Sequence, residues 1–154
     1  MRYGQIRQYD IANGPGVRVS IFVTGCSHNC KNCFNQEYQD FKAGHQWTDA
    51  TSRQIIEFLK DENISGLTLL GGEPMENLEL IDLLKLIRKE KELENKDVWV
   101  YSGFTYEQIL ADSNKKELLD LCDVLVDGPY LEDLKDLKLK FRGSSNQRII
   151  NLND

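Results

Sequence analysis

The chain has 154 residues, one domain's worth, and a chain of that size buries about two thirds of its unfolded surface. Nineteen Lys and Arg face twenty-five Asp and Glu, giving a formal charge of −6 and a pI near 5.0. That balance argues against a phosphate-tracking nucleic-acid binder, which needs a basic face, and against docking on anionic lipid. No apolar run approaches the ~18 residues of a membrane span, and the amino end MRYGQIRQYD lacks the apolar stretch of a signal peptide. Charged residues, 29% of the chain, are mixed among aliphatic ones, which argues against disorder. A cytoplasmic location is expected.

The pattern alternates strand and helix, without internal repeat or linker. Val17, Val19, Ile21 and Val23 alternate with Arg18, Ser20, Phe22 and Thr24, the period of a strand. Ile55, Phe58 and Leu59 form the stripe of a helix that Thr48 or Thr51 is placed to cap. A short strand over Gly66–Leu70 stops at Gly71-Gly72. Leu80, Leu83, Leu84 and Ile87 then sit at i, i+3, i+4 and i+7, with Lys85, Arg88 and Lys89 outside, the clearest helix of the chain. Asp97–Tyr101 predicts a strand, Thr105–Ala111 and Lys115–Leu121 short helices, Val124–Val126 a strand and Arg148–Ile150 a last one. Such alternation predicts an α/β fold with a mostly parallel sheet, in a single domain spanning 1–154.

The four best strands end in Thr24-Gly25, Gly71-Gly72, Ser102-Gly103 and Asp127-Gly128. In a parallel sheet these ends share one edge, the edge where α/β folds bind ligands. Any one Gly there reads as a strand terminator. Four together predict a ligand crevice, with backbone free to approach a ligand.

Three of the four cysteines lie within eight positions, immediately after the first strong strand and hence on that edge, in Thr24-Gly-Cys26-Ser-His-Asn-Cys30-Lys-Asn-Cys33-Phe-Asn35. In a reducing compartment clustered cysteines point to metal rather than to disulfides. Thiolates at C-x3-C-x2-C can hold three irons of a [4Fe–4S] cube, and with no fourth Cys nearby one iron stays open to an outside ligand. An open position marks a reaction centre, by the logic that separates catalytic from structural zinc. A Cys3His zinc site using His28 is the competing reading. His28, between two cysteines, otherwise reads as a loop residue hydrogen-bonding locally or near the cluster. Cys122 reads as a core thiol, with a distant fourth ligand as the alternative.

C-x3-C-x2-C after the first strand resembles the signature of the radical S-adenosylmethionine (SAM) superfamily, and Gly71-Gly72-Glu73-Pro74 resembles that family's GGEP motif. The resemblance implies that Cys26, Cys30 and Cys33 bind the cluster. It also implies that SAM chelates the open iron through its amino and carboxylate groups, and that one electron cleaves the sulfonium to give a 5′-deoxyadenosyl radical. It places the SAM amino group against the backbone of Gly71-Gly72-Glu73. Acceptor carbonyls beside two Gly, with the Glu73 carboxylate added, suit an ammonium. Glu73 also reads as a cap acid for the helix expected near Asn77.

Asp10-Ile-Ala-Asn-Gly-Pro-Gly-Val-Arg18, Val126-Asp-Gly128 and Phe141-Arg-Gly-Ser-Ser-Asn-Gln-Arg148 narrow the resemblance to the activating enzymes of anaerobic ribonucleoside-triphosphate reductases. The implied fold is an incomplete (βα) barrel open on one side, consistent with a length below the ~250 residues of a full barrel. The implied reaction removes a hydrogen atom from a backbone Gly of the reductase, with a one-electron donor such as a flavodoxin or ferredoxin. The position before the third cysteine, often aromatic in the superfamily and stacked near adenine, is Asn32 here. The ring instead is Phe34, so the backbone on either side of Cys33, at Asn32 and Phe34, is expected to meet adenine. Ser102 and Asp127 are candidates for the ribose hydroxyls or the methionine end of SAM, or else turn-forming side chains. Arg142 and Arg148 read as surface ion-pair partners, or as contacts to the SAM carboxylate or a partner. Trp99, Tyr101 and Tyr106 read as packing. The alternating charges of 131–138 read as a solvated face. Other readings are an activator of a different glycyl-radical enzyme such as pyruvate formate-lyase, a small-molecule radical SAM enzyme and a zinc-stabilised interaction module.

Overall fold

The computed structural model describes residues 1–28 and 36–153. Along the chain run β1 (Arg2–Asp10), β2 (Arg18–Val23), β3 (His45–Gln46), α1 (Asp49–Leu59), β4 (Gly66–Gly71), α2 (Leu80–Lys89), β5 (Asp97–Tyr101), α3 (Tyr106–Leu110), α4 (Ser113–Leu119), β6 (Val124–Asp127) and β7 (Arg148–Asn151). Among the described residues a seven-stranded sheet takes the order β3-β1-β2-β4-β5-β6-β7. β2, β4, β5 and β6 are parallel neighbours, β1 and β7 flank them antiparallel, and β3 pairs antiparallel with β1 at the sheet's outer edge. The mixed α/β fold with a mostly parallel sheet is therefore as expected, and the predicted strand ends do share one edge.

β1 has no counterpart in the sequence reading. RYGQIRQYD carries too few apolar residues to announce a strand, and its last three-residue stretch before Asp10 is exposed. Its pairing with β2, from Tyr3 opposite Val23 to Asp10 opposite Arg18, supplies what local pattern does not.

The two faces of the sheet differ in chemistry. Val19, Ile21, Val23, Leu67, Leu69, Val98, Val100 and Leu125 point into one core with Ile55 and Leu59 of α1, Leu80, Leu83, Leu84 and Ile87 of α2, Ile109 of α3 and Leu118 and Leu119 of α4. Full burial of each such side chain contributes roughly 1.5–3 kcal/mol. Thr48 caps α1 in a capping box with Thr51, as its position predicts. Thr105 and Gln108 do the same for α3, and the Asp112 carboxylate caps α4.

The opposite face carries Arg18, Ser20, Thr68, Leu70, Trp99 and Tyr101. Arg18 is fully buried. Its guanidinium donates to Thr68 Oγ1 at 2.8 Å, Leu67 O at 3.0 Å, Pro15 O at 3.1 Å and the Asp97 carboxylate at 2.7 Å. The 10–17 loop crosses this face, held where Thr68 Oγ1 donates to Asn13 O at 2.7 Å. Strand alternation therefore leads to burial on both sides, because loops cover the face that the helices leave open. No helix among the described residues is long and apolar enough to cross a membrane.

Candidate cluster and cofactor site

The polar face opens toward the carboxyl edge of the parallel strands into a cavity of about 580 Å³, within the roughly 300–1,000 Å³ of small-molecule sites. Cys26, His28, Gly71, Gly72, Glu73, Ser102 and Gly103 line one part of it, and Asn13, Tyr101, Tyr130, Phe141 and Arg142 another.

Backbone hydrogen bonds build the cysteine end. Beyond the last paired residues of β2 and β4, Gly72 N donates to Val23 O and Glu73 N to Gly25 O, both at 2.7 Å. Gly25 N donates to Tyr38 O at 2.7 Å and Cys26 N to Gln39 O at 3.0 Å, closing the base of the cysteine loop. A Cβ at Gly72 would lie 2.5 Å from Gly25 O and 2.6 Å from Tyr38 O. The close approach required at this glycine is to the chain's own backbone, and it brings the GGEP segment against the start of the cysteine loop. Asn29 to Asn35, and with them Cys30, Asn32, Cys33 and Phe34, lie outside the described residues.

Glu73 is the centre of this edge. Its side chain is 1% exposed. Oε1 faces His28 Nε2 at 2.5 Å and accepts from Gly103 N at 2.7 Å, while Oε2 accepts from Ser102 Oγ and Met75 N, each at 2.9 Å. A carboxylate offers about four acceptor positions, and these four partners fill them. The cap role is present, for the 3-10 turn Pro74–Glu76 rather than for α2. The hydrogen bond to Glu73 raises the His28 pKa above its ordinary value, against the opposing pull of burial. Cys26 Sγ, a His28 ring nitrogen and a Glu76 carboxylate oxygen lie within 4.8 Å of one another. His28 directs Nε2 at Glu73, and Glu76 Oε1 accepts from Ser27 N at 3.0 Å and Ser27 Oγ at 2.7 Å.

The other predicted residues divide. Ser102 lines the cavity, 6% exposed, and also accepts from Phe104 N at 3.0 Å. Asp127 does not line it. Its buried carboxylate accepts from Tyr106 N at 2.7 Å and from Arg148 Nε at 3.0 Å, and Arg148 also pairs with Glu107 at 2.7 Å. Cys122 is a buried thiol donating to Leu118 O at 3.4 Å, its pKa raised by burial.

The carboxyl-terminal motif explains itself as a clasp. Gln147 Oε1 accepts from Gly143 N at 2.8 Å and Ser144 N at 3.2 Å, and Gln147 Nε2 donates to Gly128 O at 3.1 Å. Asn146 Nδ2 donates to Pro129 O at 2.8 Å and Arg142 to Gln147 O at 2.6 Å. This clasp lays 130–143 over the cavity. Asp136 and Leu137, in a run read as a solvated face, therefore line it, and Tyr101, read as packing, lines it too. The Tyr101 hydroxyl and Arg142 Nε are buried without a partner among the described residues. The only sequence signal for these residues is the motif around Arg142.

Comparison with known proteins bears on what the cavity holds. Residues 12–150 match the family described as a 4Fe-4S single cluster domain. The anaerobic ribonucleoside-triphosphate reductase-activating protein of Vibrio cholerae is 41% identical over 152 residues, covering 97% of each chain. That of Escherichia coli (strain K12) is 40% identical over 155 residues, covering 99% of each. The protein of the same name from Enterobacteria phage T4 is 38% identical over 151 residues, 97% of this chain and 93% of its own. The chain belongs to the family of anaerobic ribonucleoside-triphosphate reductase-activating proteins. The 4Fe-4S match favours iron over zinc for the cysteine loop, in line with the C-x3-C-x2-C spacing.

Proposed function

We propose that this chain is a radical SAM activase that generates the glycyl radical of an anaerobic ribonucleoside-triphosphate reductase. One observation carries the reading: the start of the cysteine loop and the GGEP segment are stitched together at the ends of two adjacent parallel strands, facing one cavity. The residues fit the groups this requires. Cys26, Cys30 and Cys33 supply the thiolates of an iron–sulfur cluster. The cavity is of cofactor size, and two buried polar atoms in its lining, on Tyr101 and Arg142, have no hydrogen-bond partner among the described residues.

In this reading the bound cluster supplies the electron for reductive cleavage of SAM, and the hydrogen atom removed comes from a Gly of the reductase. The chain's own residues bind, orient and exclude water; no general acid or base is needed. The backbone of Gly71 and Gly72 faces the SAM amino group. Glu73, its carboxylate filled by protein donors, holds that backbone in place. The adenine contact is assigned to the backbone at Asn32 and Phe34, which lie outside the described residues. Ser102 contacts SAM at the strand edge, and Asp127 supports the same edge through Arg148 and Tyr106 N. The chain is read as one domain, 1–154, an incomplete (βα) barrel whose open side admits the reductase, a reading supported by helices on one sheet face and loops on the other. A one-electron donor such as a flavodoxin or ferredoxin reduces the cluster, and the setting is the cytoplasm.

Anaerobic reconstitution with iron and sulfide, followed by SAM, dithionite and the reductase, tests this. The expected result is a glycyl radical seen by electron paramagnetic resonance (EPR), with the reductase but not with pyruvate formate-lyase. Loading well under about three irons per chain, or SAM cleavage that persists in Cys30→Ala, would overturn it.

A further inference from the structure

We infer that His28 is a positioning residue, locking the cysteine loop onto the GGEP segment and the end of β5, and so setting how SAM is seated. The inference rests on the function proposed above. The His28 ring, carried by the first of these elements, touches the other two. Nε2 meets Glu73 Oε1 at 2.5 Å. The ring packs edge-on against Phe104, centroids 4.4 Å apart. A Cβ at Gly103 would lie 2.6 Å from Cδ2 and 2.7 Å from Nε2 of the same ring, so the missing side chain at 103 is the space that His28 occupies. Gly103 N and His28 Nε2 converge on one oxygen of a buried carboxylate. Ser27 grips the neighbouring Glu76, so the two residues following Cys26 hold the turn Pro74–Glu76 at its cap, Glu73, and at its last residue.

Groups that orient a metal centre's ligands without binding the metal typically change affinity or activity 10- to 100-fold when removed. His28 has the geometry for that role. Its ring is fixed from three directions, and it links the segment carrying the thiolates to the segment facing the SAM amino group. Removing the ring leaves the three cysteines, the backbone bonds and the Ser27–Glu76 contact in place and takes away the side-chain tie from the loop to Glu73 and to the end of β5.

The test compares wild type, His28→Ala, His28→Gln, Gly103→Ala and the double variant, each reconstituted anaerobically. Iron per chain, equilibrium SAM binding and the EPR change on adding SAM to reduced protein are measured. His28→Ala is expected to keep its iron, bind SAM ~10-fold or more weakly and show a blunted EPR change. His28→Gln, whose amide N–H reaches toward Glu73, restores most of both. Gly103→Ala displaces the ring and impairs wild type, but adds nothing in the His28→Ala background. A His28→Ala protein that binds SAM like wild type overturns this inference alone. So does one that loses its iron without rescue by Gln, since the ring would then be a ligand. Wild-type protein whose signal SAM leaves unchanged overturns the underlying function, and this inference with it.

Discussion

Arg18, with no exposed surface, reaches the half-exposed Asp97 carboxylate at 2.7 Å, joining the first residue of β2 to the first residue of β5 across the start of β4. The pair secures the edge of the sheet opposite the cavity. Because the guanidinium also serves Thr68, Leu67 O and Pro15 O, its loss strands several buried acceptors. Asp97→Asn is expected to cost about 1–3 kcal/mol through one weakened charge-assisted bond. Arg18→Ala is expected to cost more, through unsatisfied acceptors and an unfilled cavity. Urea denaturation of the metal-free protein checks the order. Equal losses would show that the backbone bonds of Arg18 carry no weight.

Asp10 connects folding to pH. Burial works against its charge, but hydrogen bonds from Ser20 Oγ at 2.6 Å, Ala12 N at 2.9 Å and Asn13 Nδ2 at 2.8 Å, with Arg7 nearby, hold its carboxyl below the ordinary Asp value. A folded pKa below the unfolded one adds stability that is complete above the unfolded value, ~3.9, and is lost as pH falls through the folded one. The melting temperature of wild type should therefore fall below about pH 4. Asp10→Asn should start lower at neutral pH and lose less on acidification. A parallel decline in both proteins would remove Asp10 from the account.

Gln147 holds the segment that covers the cavity. Gln147→Ala unties Gly143 N, Ser144 N and Gly128 O together, at about 1–3 kcal/mol for the groups left unpaired. Limited proteolysis should then cut within 130–143 faster than in wild type. An unchanged cleavage rate would mean that the clasp does not hold the segment down.

Cys122 stands apart from the cluster chemistry. Burial raises its pKa, so no reactive thiolate is available at neutral pH. In folded protein it should resist thiol reagents until denaturant is added. Cys122→Ala should load as much iron as wild type after reconstitution. Lower iron in that variant would revive the distant-ligand reading.

The sequence alone determined the parallel strands β2, β4, β5 and β6, the helices between them, the shared edge of their ends and the cysteine and GGEP segments on it. These are legible because strand and helix periods, capping residues and cysteine spacing are local patterns, complete within a few residues. It was silent on β1, whose polar sequence becomes a strand only by pairing with β2. Tertiary structure alone decided that Arg18 is buried, that Glu73 spends its carboxylate on protein donors, that Asp127 faces Arg148 rather than the cavity, and that 130–143 roofs the site. Each of these joins groups far apart along the chain: 79 positions for Arg18 and Asp97, 45 for His28 and Glu73, 21 for Asp127 and Arg148. A buried polar group takes whatever partner the fold brings to it, because leaving it unpaired costs more than any local preference.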